Sequence, residues 1–137
     1  MKNIPQHLCA LLGGLLVSAC VWAQGASGYP NKPVRIIVPV AAGGNVDIVA
    51  RAVAQELSKT WGQSVVVENR PSAASIVGTQ WVAKAAPDGY TLLAHSSTFF
   101  SAPLISVNAG YDPVKDFTPI TLTCKAPMFL VAGPSVP

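Results

Sequence analysis

Residues 34–68 read VRIIVPVAAGGNVDIVARAVAQELSKTWGQSVVVE, and this stretch decides the fold. Val34-Arg35-Ile36-Ile37-Val38 is a β-branched run bounded by Pro33 and Pro39, the pattern of a strand buried on both faces. Ala41-Ala42-Gly43-Gly44-Asn45 breaks the run as a loop. From Val46 the period changes: Val46, Ala50, Val53 and Leu57 recur at helical spacing, while Arg51, Gln55, Ser58 and Lys59 take the opposite side. Gly62, which has no Cβ, is placed to end that helix in a left-handed cap. Ser-Val-Val-Val-Glu at 64–68 then predicts a second buried strand.

The alternation continues outward. Residues 70–75 form a small-residue loop, and 77–85 a second helix with Val77, Trp81, Val82 and Ala85 on its apolar side. Pro87-Asp88-Gly89 is a turn that feeds a strand over 91–95. Strand, helix, strand, helix, strand at this spacing predicts an α/β fold with right-handed crossovers and a mostly parallel sheet flanked by helices. Ligands of such sheets bind beyond the carboxyl ends of the strands, where the loops 40–45, 70–76 and 96–100 fall. Further on, 111–117 is turn-like, and 118–124 and 128–132 are strand-like.

Composition sets the outer bounds. The chain has 137 residues, 50% apolar and 11% charged, so it is at most one domain and rich enough in Val, Ile, Leu and Ala to bury a core. Nine Lys and Arg against six Asp and Glu give a net charge of +3, scattered along the chain; nucleic-acid binders instead cluster their basic residues. Residues 1–23 read as an export signal, with Lys2 ahead of an apolar run over 8–17 and Val21-Trp22-Ala23 at the cleavage site. That run is shorter than the ~20 residues of a membrane-spanning helix. Val17-Ser18-Ala19-Cys20 also resembles a lipobox, in which Cys20 would be acylated. Either route takes the product out of the cytoplasm. Cys9 and Cys20 lie in or beside the signal, so Cys124 alone remains, expected as a buried small hydrophobe. No CxxC or Cys/His cluster suggests a metal.

The three loops carry the chemistry. Gly43-Gly44 between a strand and a helix allows close backbone approach to an anion at the helix N-terminus, or simply makes the turn. The Lys-Ser/Thr of a phosphate-binding loop and the third Gly of a dinucleotide fingerprint are missing, so a carboxylate suits the site better than a nucleotide. Asp47 in the first helical turn either serves the helix dipole and free amides or contacts a polar ligand group. Ser96, Ser97 and Thr98 either bond a carboxylate or cap the next segment. His95 beside Ser96 suggests a hydrolase only weakly, because adjacent strand residues point to opposite faces and no G-x-S-x-G elbow is present. Phe99 and Phe100 read as core or cleft wall.

Taken together, Tyr29-Pro30-Asn31-Lys32-Pro33-Val34-Arg35, Gly43-Gly44-Asn45-Val46-Asp47, Val65-Val66-Val67-Glu68-Asn69-Arg70-Pro71, Ala83-Lys84-Ala85-Ala86-Pro87-Asp88-Gly89-Tyr90-Thr91-Leu92 and Tyr111-Asp112-Pro113-Val114-Lys115-Asp116-Phe117 resemble the Bug family, the extracytoplasmic solute receptors of tripartite tricarboxylate transporters. The resemblance runs from about Tyr29 to the last residue. It implies a type II periplasmic-binding-protein fold of two α/β lobes closing around a small carboxylated solute, with no cofactor, no metal and no reaction. It also implies membrane components of the transporter as partners, while the scattered charge leaves no nucleic acid among the expected ones. Carried onto this sequence, the first-lobe ligand contacts fall on Ala41, Gly43, Gly44, Asp47, Ser72, Ser75, Ser96, Ser97 and Thr98.

The sequence departs from the family in two of these places. After Arg70-Pro71 the family is usually Gly-rich, whereas Ser72, Ala74 and Ser75 stand here, and the frequent Asn before Pro103 is Ala102. Family members are also considerably longer, so residues 24–137 are expected to be an incomplete first lobe, a partial lobe of that fold. The rival expectation is a remnant of a truncated receptor gene that binds no ligand.

Overall fold

The computed structural model describes residues 28–127, 131 and 133. The expected export signal at 1–23 lies outside these residues, as do positions 128–130 and 132 of the second strand-like segment. The chain divides into two compact units, 1–31 and 32–137. In the first, residues 28–31 form a turn and bends. The second holds the fold.

Its sheet has three strands, β1 (Val34–Val38), β2 (Val65–Asn69) and β3 (Thr91–Leu93), in the order β2-β1-β3. Both pairings are parallel, with Val34 opposite Val65, Val38 opposite Asn69, and Arg35 opposite Thr91. The parallel sheet expected from the alternation of elements is thus present, with the continuous apolar run of β1 at its centre. Three helices among the described residues accompany it: α1 (Asn45–Trp61), α2 (Ile76–Ala83) and α3 (Thr98–Ile105). Gly62 ends α1 at φ 64°, the left-handed cap the sequence predicts, and its amide returns to the Ser58 carbonyl at 3.1 Å.

The core lies between α1 and the sheet. Ile36 and Val38 are buried against Ala50 and Ala54, and Val40, Val46, Val65, Val67, Leu92 and Ala94 pack around them. Two small alanines on the inner face of α1 let that helix settle close to the sheet. α2 packs against β1 and β3, where Gly78 sits tight over Pro39.

Several expectations are corrected. β2 is an edge strand, and Val66 on it is exposed, so the Val-Val-Val run does not mark a strand buried on both faces. α2 does not turn Val77 inward: that side chain is 63% exposed, and the buried positions are Gly78 and Thr79, because the contact is a backbone-close crossing that bulky side chains would hold apart. Residues 98–100 belong to α3 and not to a loop. Residues 118–124 form no strand. Their alternation of Thr with Ile120 and Leu122 needs a neighbouring strand for its hydrogen bonds, and among the described residues none pairs with them. Cys124, expected to be buried, is exposed on that same segment.

Candidate functional site

Because the three strands are parallel, the segments that follow them emerge side by side at one edge of the sheet, with the β1 loop in the middle. Strand ends are ~4.8 Å apart in the pairing direction, so the three segments are neighbours.

The loop after β1 is shaped from below by a buried carboxylate. Asp47 is 2% exposed. Its Oδ2 accepts the Gly43 amide at 2.9 Å and the Arg51 Nε at 3.0 Å, and its Oδ1 accepts Asn69 Nδ2 at 2.8 Å. Asn69 Nδ2 also donates to the Val40 carbonyl at 3.2 Å, and Arg51 donates to Asn69 Oδ1 at 2.8 Å. One carboxylate therefore ties the loop, the first two turns of α1 and the end of β2 together. The Arg51 hydrogen bond above all, then those from Gly43 and Asn69, hold the Asp47 carboxyl at about 2. The three donors that the Asp47 oxygens take are all internal, and the one backbone amide among them belongs to the loop at Gly43 and not to α1. Arg51 and Asn69 were missed by the sequence reading. The Asp47/Arg51 spacing of one helical turn was a legible signal, whereas the reach of Asn69 across the sheet was not.

Gly43 has φ 84°, a conformation that L side chains rarely adopt, and this positions its amide over Asp47. Gly44 precedes α1 as an extended N-cap with no side chain to offer. Its carbonyl takes the Ile48 amide, and Asn45 Oδ1 takes the Val46 amide at 2.8 Å. The amides of Asn45 and Asp47 take no acceptor among the described residues, which leaves hydrogen-bond donors at the positive end of a 17-residue helix. Ala41 and Gly43 are exposed.

After β2, Ser72 Oγ accepts the Val77 amide at 3.1 Å and its carbonyl accepts the Ser75 amide at 3.0 Å, closing a single 3-10 turn over Ala73–Ser75. Ala74 and Ser75 stand at φ 51° and 60°, two consecutive left-handed residues with side chains. These are positions where the family resemblance expects glycine. The glycine conformation is kept although the glycines are not. Ser75 is buried, and its carbonyl holds Thr79 Oγ1 at 2.8 Å.

After β3, the Ser96 amide donates to His95 Nδ1 at 2.8 Å, and Ser96 Oγ lies 2.9 Å from Thr98 Oγ1. Ser97 and Thr98 are exposed. The His95 imidazole Nδ1 takes the Ser96 amide and lies 3.4 Å from Thr98 Oγ1, whereas the Ser96 hydroxyl faces Thr98 Oγ1 and not the imidazole. Burial holds the His95 pKa below its ordinary value. Phe99 is the hub of an aromatic cluster, stacked on Tyr111 with centroids 5.7 Å apart and edge-on to Phe117 at 5.0 Å, and Tyr111 donates to the Phe99 carbonyl at 2.9 Å. That cluster anchors the start of α3 to the 111–117 turn, and α3 in turn lies against the Ala73–Ser75 turn. Phe99 is half-buried in that cluster, whereas Phe100, expected as core or cleft wall, is exposed. No group of His, Cys, Asp and Glu among the described residues is arranged to hold a metal ion, and no helix among them is long and apolar enough to cross a membrane.

Residues 49–137 match the family described as tripartite tricarboxylate transporter family receptor. Protein BugT of Bordetella pertussis is 38% identical over 136 residues, which cover 95% of this chain and 41% of BugT. Among solved structures, the periplasmic binding protein BugD is 47% identical with a TM-score of 0.64, over 67% of this chain and 31% of that one. MatC from Rhodopseudomonas palustris with bound malate is 41% identical with a TM-score of 0.60, over 66% of this chain and 31% of MatC. The chain spans 32% to 41% of the length of the curated relatives it matches.

Proposed function

The chain belongs to the tripartite tricarboxylate transporter receptor family, and from that membership we propose that it supplies the first-lobe contacts of a periplasmic receptor for a small carboxylated solute. The solute's carboxylate meets the untaken backbone amides of Asn45 and Asp47 and the hydroxyls of Ser97 and Thr98, with Ala41, Gly43, Gly44, Ser72, Ser75 and Ser96 shaping the surface around it. Asp47 acts from beneath, by fixing the Gly43 amide and the entry to α1. The receptor is exported through its N-terminal signal and delivers the solute to the membrane components of its transporter. It performs no reaction.

The observation that carries this reading is the donor-rich loop at the N-terminus of α1, in a chain whose fold matches a relative solved with malate. A carboxylate needs donors and no metal, and these loops offer amides and hydroxyls. Two or three hydrogen bonds at a solvated surface contribute about 0.5–1.5 kcal/mol each, against ~4 kcal/mol or more of lost rigid-body freedom. The contacts from this chain alone therefore support millimolar or weaker affinity. Titrating the labelled protein with malate and following backbone amides by NMR tests the reading. Saturable shifts are expected at Gly43, Gly44, Asn45, Ser97 and Thr98; shifts confined to other parts of the chain, or none up to about 50 mM malate, would sink it.

A further inference from the structure

At the amino-terminal edge of the sheet, opposite the three loops, a hollow of about 490 Å³ is lined by Lys32, Arg35, Trp81, Lys84, Asp88 and Tyr90, among others. The four steps along β1, at ~3.3 Å each, set the two edges roughly 13 Å apart, and no lining residue of the hollow belongs to the three loops. Its charges do not balance. Lys32 Nζ donates to Asp88 Oδ2 at 3.1 Å, and Asp88 Oδ1 accepts the Tyr90 amide at 3.0 Å, so the single acid is used on both oxygens. Arg35 and Lys84 have no carboxylate within ion-pair distance among the described residues, which leaves two uncompensated cations in one concavity.

Aromatic residues hold two of the groove's cations, Lys32 and Arg35, in place. Lys32 Nζ stands 4.2 Å from the Tyr90 ring centroid, and the Arg35 guanidinium 4.9 Å from that of Trp81. Arg70 approaches the same indole at 4.0 Å while paired with Glu68 at 2.6 Å. Cation–π contacts restrict long side chains that would otherwise sample many rotamers, and a concave surface with a surplus of one sign concentrates counter-ions.

We infer that this groove is a second binding site, distinct from the proposed solute loops, for a small polyanion bearing carboxylate or phosphate groups held by Arg35, Lys84 and Lys32. Arg35 offers a planar fork to one anionic group, and the two lysines offer point charges to another. The test is an NMR titration of the full chain at fixed ionic strength, with citrate in one series and inorganic phosphate in the other. Saturable movement of the Trp81 indole and of the Lys84 and Tyr90 amides is expected, and the more effective probe identifies the preferred group. Arg35→Gln and Lys84→Gln remove exposed charge without touching the core, and each should weaken binding by about fivefold or more. Equal shifts in the Arg35→Gln, Lys84→Gln double variant, or no saturable shift with either probe, would overturn the inference. Tyr90 lies away from the loops, so a chain in which malate moves nothing at Gly43 but citrate still moves the Tyr90 and Lys84 amides would retain this site while losing the other.

Discussion

Ala74→Gly should stabilise this protein, although an Ala-to-Gly change ordinarily does the opposite. Ala74 stands at φ 51°, ψ 21°, in the left-handed region, and its side chain is exposed, so removing the methyl group costs no packing. Holding an L residue there costs roughly 1–2 kcal/mol, and glycine gives back about 0.5–1 kcal/mol through the greater freedom of its unfolded chain. The net expectation is a gain of about 0.5–1 kcal/mol, which for a unit of about 100 residues raises Tm by about 2–8 °C. Thermal unfolding followed by circular dichroism reads the effect. Ala73→Gly is the internal control: it is the adjacent residue, also exposed, without positive φ, and it should lower stability by about 0.5–1 kcal/mol. Opposite signs at neighbouring alanines would follow from backbone conformation alone. Were both variants to lose stability equally, the strained turn would be refuted. Strain retained at a loop beside the proposed site also predicts that Ser75→Gly, at φ 60°, behaves alike but gains less, because Ser75 is buried and its side chain makes contacts that glycine lacks.

Gly78→Ala should act in the reverse direction. A Cβ there would lie 2.8 Å from Pro39 Cβ and 2.9 Å from the Arg70 carbonyl, so α2 must lift off the sheet, at a cost of about 1–3 kcal/mol that shows as a lower denaturant midpoint with unchanged slope. Acid titration should expose Asp47. Its folded pKa of about 2 lies below the unfolded value near 3.9, so its stabilisation is complete above about pH 4 and is lost as pH falls towards 2; Asp47→Asn should melt lower at neutral pH and lack that acid-dependent loss. For His95 the folded pKa is also depressed, here because burial disfavours the cation. The unfolded chain therefore takes up the proton first, and stability should decline as pH drops below about 6.5 while staying level above it. Melting curves of the parent and His95→Gln over pH 5 to 8 would show this as a difference in slope, and parallel curves would contradict the assignment.

The strand-helix-strand order and the left-handed cap at Gly62 were legible from local signals. A β-branched run bounded by prolines, a change of period at Val46 and a glycine at the end of a helical pattern each act within a few residues, so the sequence carries them intact. The parallel sheet followed from connection lengths, and the three edge segments followed from the sheet. What burial each strand and helix would have was decided only by tertiary structure. Val65 to Val67 look as apolar as Ile36 to Val38, but β2 lies at the edge while β1 has a strand on each side, and nothing within either run encodes that difference. The same holds for Cys124 and residues 118–124, whose alternation fits a strand but has no described partner to pair with. Asp47 was readable as a helix-start carboxylate. Its clasp on Gly43, Arg51 and Asn69 was not, because Asn69 reaches it across 22 positions, a separation at which only the assembled fold brings side chains together.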